Sequence, residues 1–526
     1  MGWIKPFTIL FLVCGLFCGF TLRANLSLEQ KVGQLFMVHT HGTLAGEEAK
    51  KLIEELHVGG IIYYNWSNTL ESPRQVSDLS ASLQKLAKIP LLIATDQEGG
   101  RVSRLTHGGF TQFPGNMALA AAGSAALCKE AALVMGEEML ACGVNMDLAP
   151  VIDVNSEPKN PVIGVRSFGD DAHKVVAYAQ SMLEGFSKAG VIPVLKHFPG
   201  YGDVTFDPHY GLPRVDKSRE ELERVELFPF QALCADADVM MTGHVRVSAL
   251  DPKACATLSY PIITGLLRNE MGFKGVVMTD SMVMQGVIDD AGGDVDTACL
   301  KAFEAGCDII LLGGKDLQKE ETELTFNDVS RIIKLFQQKV REGSISMERL
   351  DASVARILAL KHKIQKPSIA FASHQEVSRR IAEASVTALR SGIADLGGRS
   401  VCLIAPKICS AATQYKACFY DEEGISEEER TEILKRAKTE DAVVFLTYNA
   451  WKSMDQQALI LEIAALNKPC AVIALRDPYD VHAVPEPIPV FATYSTIPAS
   501  LEAALNVLHG RLDPKGSCPV KMNPLP

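Results

Sequence analysis

The chain has 526 residues, more than one ordinary domain holds, so two or three domains are expected. A hydrophobic share of 47% against a charged share of 22% is that of a soluble globular protein and excludes a disordered or fibrous one. A net charge of −11, with lysines and arginines scattered along the chain, argues against nucleic acid as a partner.

The first 24 residues stand apart. Lys5 precedes an apolar stretch over 7–22, and Arg23-Ala24 follows, the layout of a secretory signal with a small residue at the cut. The stretch is short for a membrane span. Segment 1–24 therefore reads as a signal peptide, and no stable span is expected once it is removed. Two of the thirteen cysteines, Cys14 and Cys18, fall inside it. The other cysteines form no C-x-x-C pair and mostly sit in apolar runs. They read as buried thiols rather than a disulfide framework.

Eight short apolar runs follow, at 32–38, 58–63, 90–94, 144–150, 191–195, 239–241, 275–278 and 308–312. Helix-forming stretches separate them, among them 118–141, 172–189 and 218–235. Near-continuous apolar strands alternating with helices mean parallel strands buried on both faces. Eight such units predict a closed (β/α)8 barrel, with a doubly wound open sheet as the alternative. Polar groups gather just after several runs: Thr95-Asp96, Lys196-His197, Thr242-Gly243-His244 and Thr279-Asp280-Ser281. In a barrel, the C-terminal strand ends are where active sites are built. Past the fifth run, Asp207-Pro208-His209 sets an aspartate two residues from a histidine, able to hold the ring in one tautomer.

A helix over 347–361 closes this section, and a polar, proline-containing passage at 364–376 reads as a linker. A helix at 377–389 then leads into strands at 401–405, 417–420, 442–447, 471–475 and 490–492, with helices at 427–437 and 456–466. This predicts a small, mostly parallel sheet covered by helices. The expected class is thus α/β: signal 1–24, barrel 25–363, linker 364–376 and an αβα sandwich over 377–526. No P-loop is present, and no G-x-G-x-x-G follows the first strand of the second domain. There is no H-E-x-x-H and no cysteine pair, so neither a metal nor an organic cofactor is expected.

Five ordered motifs resemble glycoside hydrolase family three, and more narrowly its bacterial β-N-acetylhexosaminidase branch of peptidoglycan recycling. They are Asp96-Gln97-Glu98-Gly99-Gly100-Arg101-Val102, Val162-Ile163-Gly164-Val165-Arg166-Ser167-Phe168-Gly169, Lys196-His197-Phe198-Pro199-Gly200, Met241-Thr242-Gly243-His244 and Met278-Thr279-Asp280-Ser281-Met282. The second domain is similar, more loosely, to that of longer members through Arg476-Asp477-Pro478-Tyr479 and Leu512-Asp513-Pro514-Lys515-Gly516.

The resemblance implies a retaining exo-β-N-acetylglucosaminidase, exported to the periplasm or cell envelope of a bacterium and acting on a glycan that carries N-acetylglucosamine. Asp280 matches the family's nucleophile, and Asp207 with His209 matches its acid/base dyad. A histidine in that role keeps a second negative charge out of the site, and also leaves phosphate conceivable as an acceptor. Asp96, Arg104, Arg166, Lys196 and His197 are expected to hold the sugar, with His244 a weaker candidate for the pocket wall. Two residues depart from the pattern. Tyr201 stands where the branch carries a histidine, and Pro208 fills a position otherwise small and polar, which stiffens the loop. Two rival readings stay open: a β-glucosidase of the same family with a carboxylate acid/base from the second domain, and an inactive envelope protein that binds glycan.

Overall fold

The structure, a computed structural model, describes residues 26–317, 322–367, 370–392, 396 and 398–522. The segment read as a signal peptide lies outside these residues. Among the described residues no helix is long and apolar enough to cross a membrane. The chain divides into two compact units: Met1–Asp96, Gly136–Pro150 and Phe186–Phe371 form the first, and Gln97–Met135, Val151–Gly185 and Ala372–Pro526 the second.

The first unit holds eight strands: β1 Phe36–Val38, β2 Gly60–Ile62, β3 Leu92–Thr95, β4 Met146–Asp147, β5 Ile192–Phe198, β6 Val239–Thr242, β7 Val276–Thr279 and β8 Ile310–Leu311. They pair in parallel in sequence order from β1 to β7, and β8 pairs with β1 in the register Phe36 opposite Ile310. A parallel bridge between Met278 and Ile309 joins the last strand to the seventh, closing the barrel. This is the (β/α)8 fold the eight apolar runs predict. Phe36, Ile61, Ile93, Val194, Met240, Val277 and Ile310 are all fully buried, each contributing roughly 1.5–3 kcal/mol by leaving water.

The first apolar run is only partly strand, since Val32 and Gly33 close the helix Leu28–Gly33 and the strand begins at Phe36. Three further elements differ from expectation. The fifth strand does not stop at Leu195 but runs on through Lys196 and His197 to Phe198, buried throughout. An ammonium in a buried strand costs several kcal/mol unless paired, and Lys196 Nζ donates to Asp96 Oδ1 at 2.9 Å. The stretch 118–141 is two helices, Asn116–Ala121 and Ala125–Ala141, divided at Gly123, whose φ of +68° suits glycine. The stretch 218–235 also splits, into Arg219–Arg224 and Phe228–Leu233. Pro229 opens the second of these, where its missing N–H is not needed.

The second unit carries a six-stranded sheet: β9 Thr387–Arg390, β10 Val401–Pro406, β11 Cys418–Tyr420, β12 Ala442–Thr447, β13 Cys470–Ala474 and β14 Val490–Ala492. Their order across the sheet is β9-β14-β13-β12-β10-β11. Alternate residues of each strand face opposite cores. Leu403 and Ala405 pack with Ala382, Leu501 and Ala504 on one side, while Cys402 and Ile404 pack with Ile433, Leu459 and Ile463 on the other. The unit is a sheet between two helical layers. Here one expectation fails: the helix Gln375–Ser385 ends early, and Thr387–Arg390 pairs antiparallel with β14. Cross-strand pairing outweighs the helix preference of Ala388 and Leu389. The eleven cysteines of the described residues are free thiols, nine of them buried.

Candidate active site

In the first unit, the sequence-predicted groups stand at or beyond the C-terminal ends of neighbouring barrel strands. Asp96 follows β3, Lys196 and His197 lie near the C-terminal end of β5, Thr242 ends β6 and Asp280 follows β7. The backbone N–H of Asp280 donates to the carbonyl of Thr242 at 3.2 Å, tying the carboxylate's position to the neighbouring strand. Asp280 Oδ1 accepts from the N–H of Ser281 at 2.7 Å.

His209 lies on the loop beyond β5. Its Nδ1 is 2.8 Å from Asp207 Oδ1, and the same oxygen accepts the backbone N–H of His209 at 2.9 Å. A carboxylate can only accept, so Nδ1 carries a proton. The dyad is therefore formed with Pro208 in place. The loop is also seated: the carbonyl of Pro208 accepts the N–H of Gly286 at 3.1 Å, and a Cβ built on Gly286 would come within 2.7 Å of the Gly211 carbonyl oxygen. Gly286 belongs to the helix Gln285–Asp290 that follows Asp280 in the chain, so the segment after the predicted nucleophile seats the loop that carries the dyad.

His244 takes a larger part than the sequence suggests. It is fully buried. Its Nε2 lies 2.9 Å from the carbonyl of Ser281 and its Nδ1 2.9 Å from the hydroxyl of Thr257. A carbonyl cannot donate, which puts the proton on Nε2. Burial pushes the imidazole below its ordinary proton affinity, against the pull of Asp280, with His209 and His197 adding to the depression. His244 is thus a neutral ring set among Asp280, His209 and His197. It grips the backbone just past the predicted nucleophile. The Met-Thr-Gly-His motif names this residue, but Thr257, its second partner, carries no motif.

Tyr201 is buried with its ring 5.0 Å from that of His197. Gly243 leaves the room for it, since a Cβ there would approach the tyrosine ring to 2.9 Å and His197 Cβ to 3.2 Å. The departure at Tyr201 is a packing choice beside His197.

In the second unit, Arg166 makes two parallel bonds to Glu98, Nε to Oε2 at 2.9 Å and Nη2 to Oε1 at 2.8 Å. Its Nη1 also reaches the Val162 carbonyl at 3.3 Å. Such a fork fixes the guanidinium plane. Arg104 follows the hairpin of Gln97–Gly99 with Val102–Ser103, and its backbone N–H donates to Gln97 Oε1 at 3.1 Å. Arg476 and Asp477 lie beside Gly164, whose Cβ would meet Asp477 Oδ1 at 3.4 Å.

A closed parallel barrel with carboxylate and imidazole groups at its C-terminal strand ends has the build of an enzyme that can do acid/base and nucleophilic chemistry. The profile of the Glycosyl hydrolase family 3 N terminal domain matches residues 27–360, and the chain belongs to that family. It is 34% identical over 382 residues to Beta-hexosaminidase A of Pseudoalteromonas piscicida, covering 65% of this chain and 61% of that protein, so it spans about three fifths of that relative. Beta-hexosaminidase LpqI of Mycobacterium tuberculosis is 33% identical over 353 residues, 65% of this chain and 84% of that one. Among solved structures, a glycoside hydrolase family 3 beta-N-acetylglucosaminidase from Paenibacillus sp. str. FPU-7 aligns with a TM-score of 0.87 at 37% identity, covering 94% of this chain and 99% of its own.

Proposed function

We propose that the protein is an exo-acting, retaining β-N-acetylglucosaminidase that releases terminal N-acetylglucosamine from β-linked glycans. Asp280 attacks the anomeric carbon and the glycosidic bond breaks, forming a covalent glycosyl-enzyme. His209 gives a proton to the leaving oxygen, then takes one from the incoming water as the sugar is released. Asp207 holds the ring with Nδ1 protonated and supports the imidazolium form that precedes donation. Asp96, Lys196 and His197 hold the sugar.

The observation that carries this reading is the Asp207–His209 pair at 2.8 Å, on a loop whose Pro208 carbonyl bonds the first turn of the helix after Asp280. It favours a histidine acid/base in the barrel over a carboxylate from the second domain, and so the aminosugar reading over the β-glucosidase one. A mechanism-based fluorosugar followed by peptide mapping tests the nucleophile, and label on any residue but Asp280 overturns it. Turnover of aryl β-glucoside faster than aryl β-N-acetylglucosaminide would overturn the substrate class. Binding of glycan with no turnover of either would favour the inactive binding protein.

The peptidoglycan setting and export through segment 1–24 belong to the same proposal. They rest on the sequence layout of that segment and on the motifs through which the chain resembles the peptidoglycan-recycling branch. Release of N-acetylglucosamine from purified muropeptides by the protein, and its recovery from the envelope fraction of the producing cell, are the corresponding tests.

A further inference from the structure

A cluster of metal-ligating side chains sits in the first unit at the seam between the first and last barrel strands. His39 and His41 lie just past β1, spaced i and i+2. Glu323 comes from the chain that leaves β8, the hydrogen-bonded neighbour of β1. The three offer one ligand atom each, all within 4.8 Å of one another. His39 Nε2 is 2.9 Å from Glu323 Oε2, and His41 Nε2 is 3.1 Å from Glu323 Oε1. With zinc–ligand bonds of about 2.0–2.2 Å, tetrahedral geometry asks for ligand atoms roughly 3.3 Å apart. Each imidazole is thus already near the spacing from the carboxylate that the ion needs.

A second observation points the same way. His41 faces a carboxylate at each ring nitrogen, with Nδ1 3.2 Å from Glu48 Oε2 and Nε2 3.1 Å from Glu323 Oε1. A neutral ring has one N–H. With an ion held at Nε2, that proton sits on Nδ1 and serves Glu48. The Glu48 contact then becomes the outer carboxylate that orients a metal-bound histidine. His39 is buried, while His41 and Glu323 are 45% and 31% exposed at the side chain, so an ion has a way in.

We propose that His39, His41 and Glu323 form a binding site for a divalent transition-metal ion of the zinc type. His39 Nε2, His41 Nε2 and the Glu323 carboxylate are its protein ligands, and Glu48 orients His41. The ion clips the segment after the last strand to the segment after the first, across the seam of the barrel. Its role is structural, and no step of the glycosidase reading uses it. Sequence spacing alone hides the site, since the third ligand comes 282 residues after the second.

Trp66 supplies an internal reporter, its ring 4.9 Å from that of His39 and 5.9 Å from that of His41. The full chain is stripped with chelator and titrated with zinc by calorimetry, and with cobalt by tryptophan fluorescence. One tight zinc site is expected in the wild type and equally in His209→Ala, which separates this site from the dyad. Cobalt is expected to quench a signal that is absent in Trp66→Phe. His41→Ala and Glu323→Gln should weaken zinc by more than ~100-fold, and Glu48→Gln by roughly 10–100-fold. His41→Cys should keep the ion and give a thiolate-to-cobalt charge-transfer band, so loss of folding cannot pass for loss of a ligand. Zinc should raise the unfolding midpoint of the wild type and not of His41→Ala. The proposal is overturned if the stripped wild type binds zinc no more tightly than His41→Ala, or if binding is lost in His209→Ala and kept in His41→Ala.

Discussion

Lys361 is the last residue of the helix Met347–Lys361 and is buried in the first unit. Its Nζ donates to Gln34 Oε1 at 2.6 Å. Burial lowers its pKa from 10.5 to about 7. At about 1.4 kcal/mol per pH unit, this puts the cost of holding the lysine there near 5 kcal/mol at most, as an order of magnitude. The sign follows from linkage. Between pH 7 and 10.5 the unfolded chain holds a proton that the folded one lacks, so this group makes stability rise with pH. Below pH 7 the full cost is present, and it fades as pH climbs towards 10.5. Lys361→Met removes the cost but leaves Gln34 Oε1 without its donor, at about 1–3 kcal/mol. The variant should therefore be more stable than wild type by about 2–4 kcal/mol at pH 6, and equal or slightly less stable at pH 10. Urea titrations of both proteins at pH 6, 8 and 10 read the difference directly, since all other titrating groups are shared. A gap that stays the same across that range, or a variant weaker at pH 6, refutes the reasoning.

Three further outcomes are expected. His209→Ala should lower turnover by about 10²–10⁴-fold with poor leaving groups. With an activated aryl leaving group it should instead show a burst followed by slow release, read by stopped-flow absorbance, and an equal loss with both substrates would contradict the acid/base role. Gly243→Ala should displace Tyr201 and His197, because the ring lies 2.9 Å from the new Cβ; a protein that folds but loses kcat/KM by at least ~10-fold is the expected result, and unchanged kinetics would show that the pocket absorbs the methyl. Asp308 is fully buried, and although burial pushes its carboxyl up, Arg268 and Arg356 hold it below its ordinary value. Asp308→Asn should cost about 3–5 kcal/mol at pH 7. Because the folded pKa is depressed below 3.8, the difference should hold down to about pH 4 and shrink only as pH falls further towards the folded value, measured by denaturant titration at about pH 7, 4 and 2.5.

What the sequence discloses here divides along a physical line. The barrel was legible because burial on both faces writes itself as unbroken apolar runs such as 191–195 and 275–278. The candidate groups were legible because a charged or aromatic residue at the end of such a run has few other reasons to be there. Partnerships between distant segments were not legible. Nothing near Lys196 in the sequence says that Asp96, 100 residues earlier, neutralises it and lets the strand run on to Phe198. Nothing near Arg166 says that Glu98 holds it in a fork. The strand Thr387–Arg390 was misread for the same reason, since its residues prefer a helix locally and only the edge of β14 makes them extended. His244 shows both sides of that line. Its motif marks the residue, but its role comes from being buried among Asp280, His209 and His197 while its ring spans Thr257 and the Ser281 carbonyl. A buried neutral ring on the backbone beside a predicted nucleophile acts by fixing where that carboxylate stands. His244→Gln, which can keep only one of the two bonds, should therefore lower kcat with little change in KM.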